Sequence, residues 1–290
     1  MKKTPVIYRS EVEPCRQARV GVELARVHAA ELYYGYGRSK LKGLGLEYVD
    51  FREYSYGDDV RRIDWRLSAR SPGEEGYRLY VKEYEEEHIH TITIAASLSN
   101  SMFYKRKPMA LAYAASIIAL MAARLGDNVI LALMGDGVEY RTARDPMSIP
   151  YIVKKAICAG PRGDVWSEPL QVAVKAKKGL LAYIIDYDVN PDLIRDSLKL
   201  LKSKSIRPLN TIIYERVEVE APGNGIASLI HPRGSWVYGR IEDIYREIKG
   251  HVLRVKAALR AQGISLYLNA GDVENSKARI VRGFMIARSR

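Results

Sequence analysis

The sequence predicts an α/β protein: a doubly wound, mostly parallel sheet preceded by a small N-terminal module with a helix and short strands. Three observations lead there. Beyond residue 90, wholly apolar runs such as Val129–Met134 and Leu180–Ile185 alternate with helical patterns, and strands covered on both faces read in that way. From Leu46 to Glu87 the chain is charged and aromatic, which suits a smaller body held largely by polar contacts. The 290 residues are 47% apolar, too many for wholesale disorder and enough for a sizeable core. At roughly 100–200 residues per domain, the length suits one large domain and a smaller one.

The elements follow in order. Residues 11–34 read as a helix, with Val20, Val22, Leu24, Val27 and Leu32 on its apolar face. Gly35, Gly37, Gly43 and Gly45 then break the pattern. The run Gly35–Lys40 has two of the three glycines of a dinucleotide fingerprint, with Lys40 in the third position, but it follows no strand and reads as a connector. Short strands are expected at 46–53 and 77–84. The large domain opens with a strand at Thr91–Ala96 and a strong helix at Ala110–Leu125. Next come a strand at Val129–Met134, helices at 146–159 and 168–177, and a strand at Leu180–Ile185. A helix at 191–202 has Pro191 at its start, and a strand follows at Thr211–Tyr214. A long helix at 241–261 and a strand at Ile264–Leu268 complete the set. Ligands of such sheets bind beyond the carboxyl ends of the strands, which singles out 97–102 and 186–188.

Composition narrows the functional classes. The formal net charge is +12, spread along the chain, and by itself it selects none of an acidic protein, a nucleic acid or a lipid surface. The opening residues show no leader pattern. The longest apolar run, Met109–Ala123, is broken by Tyr113 and Ser116 and is shorter than the ~20 residues that cross a bilayer. Cys15 and Cys158 lie far apart without CxxC spacing. Neither a disulfide framework nor a zinc site is expected, and a reducing cytoplasmic location fits. Few glutamines and many charges point toward a thermophile. The 20 tyrosines suit interfaces.

No GxxxxGK[ST] loop, GxSxG elbow or Cys/His pairing is present. His88 and His90 would share a strand face but lack further ligands. Two constellations remain. The first is Ser97, Ser99 and Ser101 leaving the first core strand, with Asp164 before a helix and Asp186 ending another strand. These are hard oxygens of the kind Mg²⁺ prefers, and from spacing alone helix capping is the better reading. The second is Arg52, Glu53, Tyr54, Gly57, Asp58, Asp59, Arg62, Asp64, Trp65 and Arg70. It reads either as a salt-bridge lattice around a buried Trp65 or as a docking surface of fixed conformation. Each aspartate has an arginine near it in sequence, so catalysis by these carboxylates is not expected.

The stretch KGLGLEYVDFREYSYGDDVRRIDWRLSAR, then YVKEYEEE, then a strand and SLSNSM, resembles domain-of-unknown-function family 58. Weaker similarity continues through IIDYD to the segment around His251–Leu268, so the resemblance covers roughly residues 30–270 and leaves 1–29 and the basic stretch KARIVRGFMIARSR outside it. The domain bounds expected at the two ends are an N-terminal helical segment (1–36) and a basic C-terminal tail (271–290). The resemblance implies a signature module over 37–90 and a von Willebrand factor A-like domain over 91–270. It also implies non-enzymatic work: docking of a protein partner, the implied partner being a MoxR-type AAA+ ATPase whose chaperone-like remodelling such proteins assist. Nucleic-acid binding through the basic surface and tyrosines is the alternative. Such domains often carry a metal-ion-dependent adhesion site of the form Asp-x-Ser-x-Ser. Here Ser97 stands in the acidic position, no Thr stands near Gly163-Asp164, and the last Asp matches Asp186. The loops at 97–102, 163–168 and 186–190 are therefore expected to form a metal-free recognition rim. Mg²⁺ held by Ser99, Ser101 and Asp186 is the competing expectation.

Overall fold

The computed structural model describes residues 12–35, 50–73, 76–83, 89–143, 145–223, 225–230, 236–260 and 262–289. The opening residues, most of the Gly35–Lys40 connector, the start of the strand expected at 46–53, and His88 lie outside these. The chain divides into two compact units, one of Met1–Glu31 with Ile89–Arg290 and one of Leu32–His88.

Helix α1 spans Val12–Gly35. Its buried stripe is Ala18, Val22, Ala25 and Ala29, whereas Val20 and Val27 are more than half exposed. This face differs from the expected one because small side chains permit close approach. A Cβ at Gly21 would collide with the Met109 carbonyl oxygen. His28 Nδ1 lies 2.8 Å from the Tyr113 hydroxyl. The two cysteines, expected as separate thiols, are bonded to each other across a sequence separation of 143. The large separation hid this pairing, and the cysteines no longer argue for a reducing compartment.

In the smaller unit, β1 (Asp50–Glu53) pairs antiparallel with β2 (Tyr80–Glu83). Ile63 and Val81 are buried and form an isolated bridge. The Ser68 hydroxyl accepts the Tyr80 N–H at 2.9 Å.

The larger unit is built on a six-stranded sheet. Its strands are β3 (Thr91–Ser97), β4 (Asn128–Gly135), β5 (Gly137–Thr142), β6 (Leu180–Ile185), β7 (Arg207–Tyr214) and β8 (Ile264–Asn269). They lie in the order β8-β7-β6-β3-β4-β5. All neighbours are parallel except β4 and β5. β6 is buried at every position, so its side chains must be apolar on both faces. β5 was not expected, because GVEYRT is only partly buried and carries charges, as an edge strand does.

Helices cover both faces. On one side lies α2 (Lys107–Arg124), buried nearly all round as a central helix must be. α1, α3 (Ile149–Cys158) and α7 (Lys277–Ser289) belong to this side. On the other side α4 (Glu168–Lys175), α5 (Pro191–Ser203) and α6 (Ile241–Arg260) bury Val172, Leu198, Leu201, Val255 and Leu259 against Tyr183, Ile185 and Ile212. The Tyr183 hydroxyl donates to the Pro169 carbonyl at 2.7 Å. A hairpin pairs Ile226–Ile230 with Trp236–Arg240. Residues 277–289, expected within a basic tail, form α7 instead: Ile280, Phe284 and Met285 are buried, and Arg288 makes two bonds to the buried Asp127 carboxylate. Among the described residues no helix is long and apolar enough to cross a membrane.

Candidate functional site at the carboxyl end of the sheet

The chain leaves β3 to build β4 and β5 on one side, then returns to build β6, β7 and β8 on the other. The order therefore reverses between β3 and β6, and the crevice beyond their carboxyl ends is where α/β sheets bind ligands. Ile92 to Ala96 pair with Leu180 to Ile184 in parallel register. Ser97 and Asp186 thus emerge side by side at the same end.

The serines form a ladder. Ser97 Oγ donates to Ser99 Oγ at 3.0 Å, and Ser99 Oγ lies 3.0 Å from Ser101 Oγ. The Met102 N–H donates to Ser99 Oγ at 3.3 Å, fixing a short 3-10 turn at Ser101–Phe103. The loop after α3 joins them: Asn100 N–H donates to the Gly163 carbonyl at 2.8 Å, and its side chain reaches Asp164 Oδ1 at 3.3 Å. Gly163 adopts φ 79°, and a Cβ there would strike the Asp136 carboxylate, so glycine is required.

Lys107 occupies the centre of the polar network. It is the first residue of α2, and its side chain is 1% exposed. Its Nζ donates to Asp186 Oδ2 at 3.0 Å and to Glu218 Oε1 at 2.5 Å. Asp186 Oδ1 accepts the Asp188 N–H at 3.1 Å. Glu218 Oε2 accepts the Glu215 N–H at 2.7 Å, and Glu215 Oε1 accepts the Arg106 N–H at 3.0 Å. Burial pulls the Lys107 ammonium toward neutrality, but Asp186 and Glu218 outweigh it and hold its pKa above the usual lysine value. Burial raises the Glu218 carboxyl above its ordinary value against the pull of Lys107.

Sequence reasoning missed Lys107 and Glu218. A signal was available for the first. A lysine opening a helix that has no acidic residue in its first turn opposes the helix dipole, so it needs carboxylates from elsewhere.

Ser97, Ser99, Ser101 and Asp186 are each no more than 2% exposed. They were expected to form the contact surface of the rim, yet they brace it from beneath. The exposed lip carries Tyr104 (43%) and Trp166 (40%), with Asn100 and Asp164 half-buried. The residues do not fit a divalent ion. The ammonium occupies the space beside Asp186, and the serine hydroxyls are turned to one another. Among the described residues no cluster of three or more His, Cys, Asp or Glu is arranged to hold a metal.

The second constellation is more local. Arg52 grips Asp58 with both guanidinium nitrogens, at 2.6 and 2.5 Å, and Asp58 also accepts the Ser55 N–H. Gly57, at φ 106°, makes the turn that returns Asp58 to Arg52. Asp59 accepts the Arg61 N–H, and Asp64 accepts the Arg66 and Leu67 N–H groups, capping the helical turn Trp65–Ser68. Glu53 pairs with Arg78 at 3.5 Å. Tyr54 is half-buried, whereas Arg62 and Arg70 are exposed. Trp65, expected buried in the lattice reading, is 65% exposed, because Ile63, Val81 and Ser68 fill the small interior without it.

A family model described as "Protein of unknown function DUF58" matches residues 50–240. Two solved structures are similar. An aerotolerance-related membrane protein from Bacteroides fragilis NCTC 9343, with multiple mutations to serines, is 14% identical over 67% of this chain and 98% of that one, with a TM-score of 0.44. The conserved hypothetical protein BatB from Bacteroides thetaiotaomicron is 12% identical over 67% of this chain and 99% of that one, with a TM-score of 0.43. No curated protein matches.

Proposed function

The chain belongs to the DUF58 family, and on that premise we propose that it is a non-enzymatic adaptor of the von Willebrand factor A-like class. It docks a protein partner at the carboxyl end of its sheet, the partner class being a MoxR-type AAA+ ATPase. One observation carries the reading. At the switch point, where chemistry would be expected, the serines are bonded to one another and the charged groups to one another. Among the described residues no hydroxyl there is paired with a base that could activate it, and the lip above carries Tyr104 and Trp166, residue types that anchor protein interfaces.

The test is a calorimetric titration of the purified chain with a MoxR-type ATPase from the same genome. Wild type binds. The Tyr104→Ala/Trp166→Ala double variant binds about thirtyfold more weakly, corresponding to about 2 kcal/mol for loss of interface anchors. Absence of wild-type binding, or equal affinity of the variant, rejects the reading.

A further inference from the structure

We infer that Lys107 is the built-in cation of this sheet end: its ammonium stands beside Asp186 where a divalent ion would be held, and the rim keeps its shape without metal. The inference rests on the geometry of the site alone and is independent of which partner, if any, meets the lip.

Three features support it. First, the two carboxylate oxygens that converge on Nζ, Asp186 Oδ2 and Glu218 Oε1, come from different parts of the chain, the end of β6 and the turn before the hairpin. One cation therefore joins the start of α2, the end of β6 and the segment at 216–219, which is the bridging work a metal does at such a site. Second, the free oxygen of each carboxylate is already taken by a backbone N–H, from Asp188 and Glu215. The pair is thereby aimed at the ammonium, and a buried charge is tolerated only when so paired and hydrogen-bonded. Third, the charged groups of this network are Lys107, Asp186 and Glu218, and Ser97 at the end of β3 adds no charge to them. A divalent ion added to the existing site would meet the ammonium at close range with no further carboxylate to offset the repulsion.

Mn²⁺ alone is the probe, read by electron paramagnetic resonance and by thermal melting of the full chain. Wild type is expected to hold no Mn²⁺, and its melting temperature is expected to be the same in chelator and in millimolar Mg²⁺ or Mn²⁺. Lys107→Ala leaves Asp186 and Glu218 facing an emptied space. It is expected to melt well below wild type in chelator, to recover much of that loss with Mn²⁺, and to bind one ion per chain. Asp186→Asn added to Lys107→Ala abolishes both the binding and the recovery. Lys107→Ser, prepared with Mn²⁺ present throughout, is the second variant should Lys107→Ala not fold, because its hydroxyl supplies an oxygen ligand. Stoichiometric Mn²⁺ uptake by wild type that Asp186→Asn removes overturns the inference. So does a folded Lys107 variant that takes up none. Neither result bears on the ATPase titration, so the two readings fail separately.

Discussion

Reduction of the Cys15–Cys158 bond measures how firmly α1 is fastened to the larger unit. The bond closes a loop of 143 residues, and on the chain-entropy scale such a loop is worth about 5 kcal/mol, of which engineered and native bonds commonly deliver about 2–4 kcal/mol. The folded state retains the other attachments of α1. Ala18, Val22, Ala25 and Ala29 stay buried, and His28 stays beside Tyr113. Reduction should therefore lower stability without unfolding the chain. At roughly 2–4 °C per kcal/mol for a domain of this size, the melting temperature falls by roughly 4–16 °C. The assay is equilibrium guanidinium unfolding with and without reductant, accompanied by a thiol count on the denatured, unreduced protein. Two reactive thiols in that count rule out the bond, and identical midpoints rule out its contribution to stability. Gly21→Leu separates the bond from the packing. A side chain there strikes backbone at Met109, so it destabilises by about 1–3 kcal/mol even with the disulfide intact.

Other expectations concern the smaller unit and α7. Trp65→Ala should change stability by no more than about 0.5 kcal/mol, as for an exposed surface position, while Asp64→Ala removes a cap and costs about 1–2 kcal/mol; chemical denaturation of both variants checks the contrast. Asp58 is held down to about 2 by the Arg52 guanidinium and the Ser55 N–H. Its stabilising contribution is present above the unfolded value of 3.8 and is lost as pH falls through about 2, so its carboxyl carbon should titrate near 2 by NMR and move upward in Arg52→Met. Asp127→Ala strands the Arg288 guanidinium and removes the acceptor of the His90 N–H. It should cost about 3–5 kcal/mol and accelerate hydrogen exchange in α7.

How much of this was legible in the sequence follows from burial. β6 and β4 read clearly as LLAYII and VILALM because both faces of a central strand are covered. Edge strand β5 did not, since its side chains are partly or largely open to water. The face of α1 was misread because valines outweigh alanines in a hydropathy pattern, whereas close helix packing selects the small residues. The basic composition of α7 hid a helix whose terminal arginine is matched by Asp127, some 161 positions away. The serine ladder and Asp186 were legible as a group because sheet topology dictates where strand ends meet. Lys107 and its second partner, Glu218, were not, since Glu218 reaches the lysine through folding and no spacing rule connects them.

The proposed docking of a protein partner at the lip beyond β3 and β6 needs no divalent ion. Its most direct measurement is the dissociation constant for a nucleotide-free MoxR-type ATPase, determined for wild type in chelator and in Mg²⁺. Equal affinity is expected in the two buffers. Binding that disappears in chelator and returns with Mg²⁺ rules out a metal-free lip.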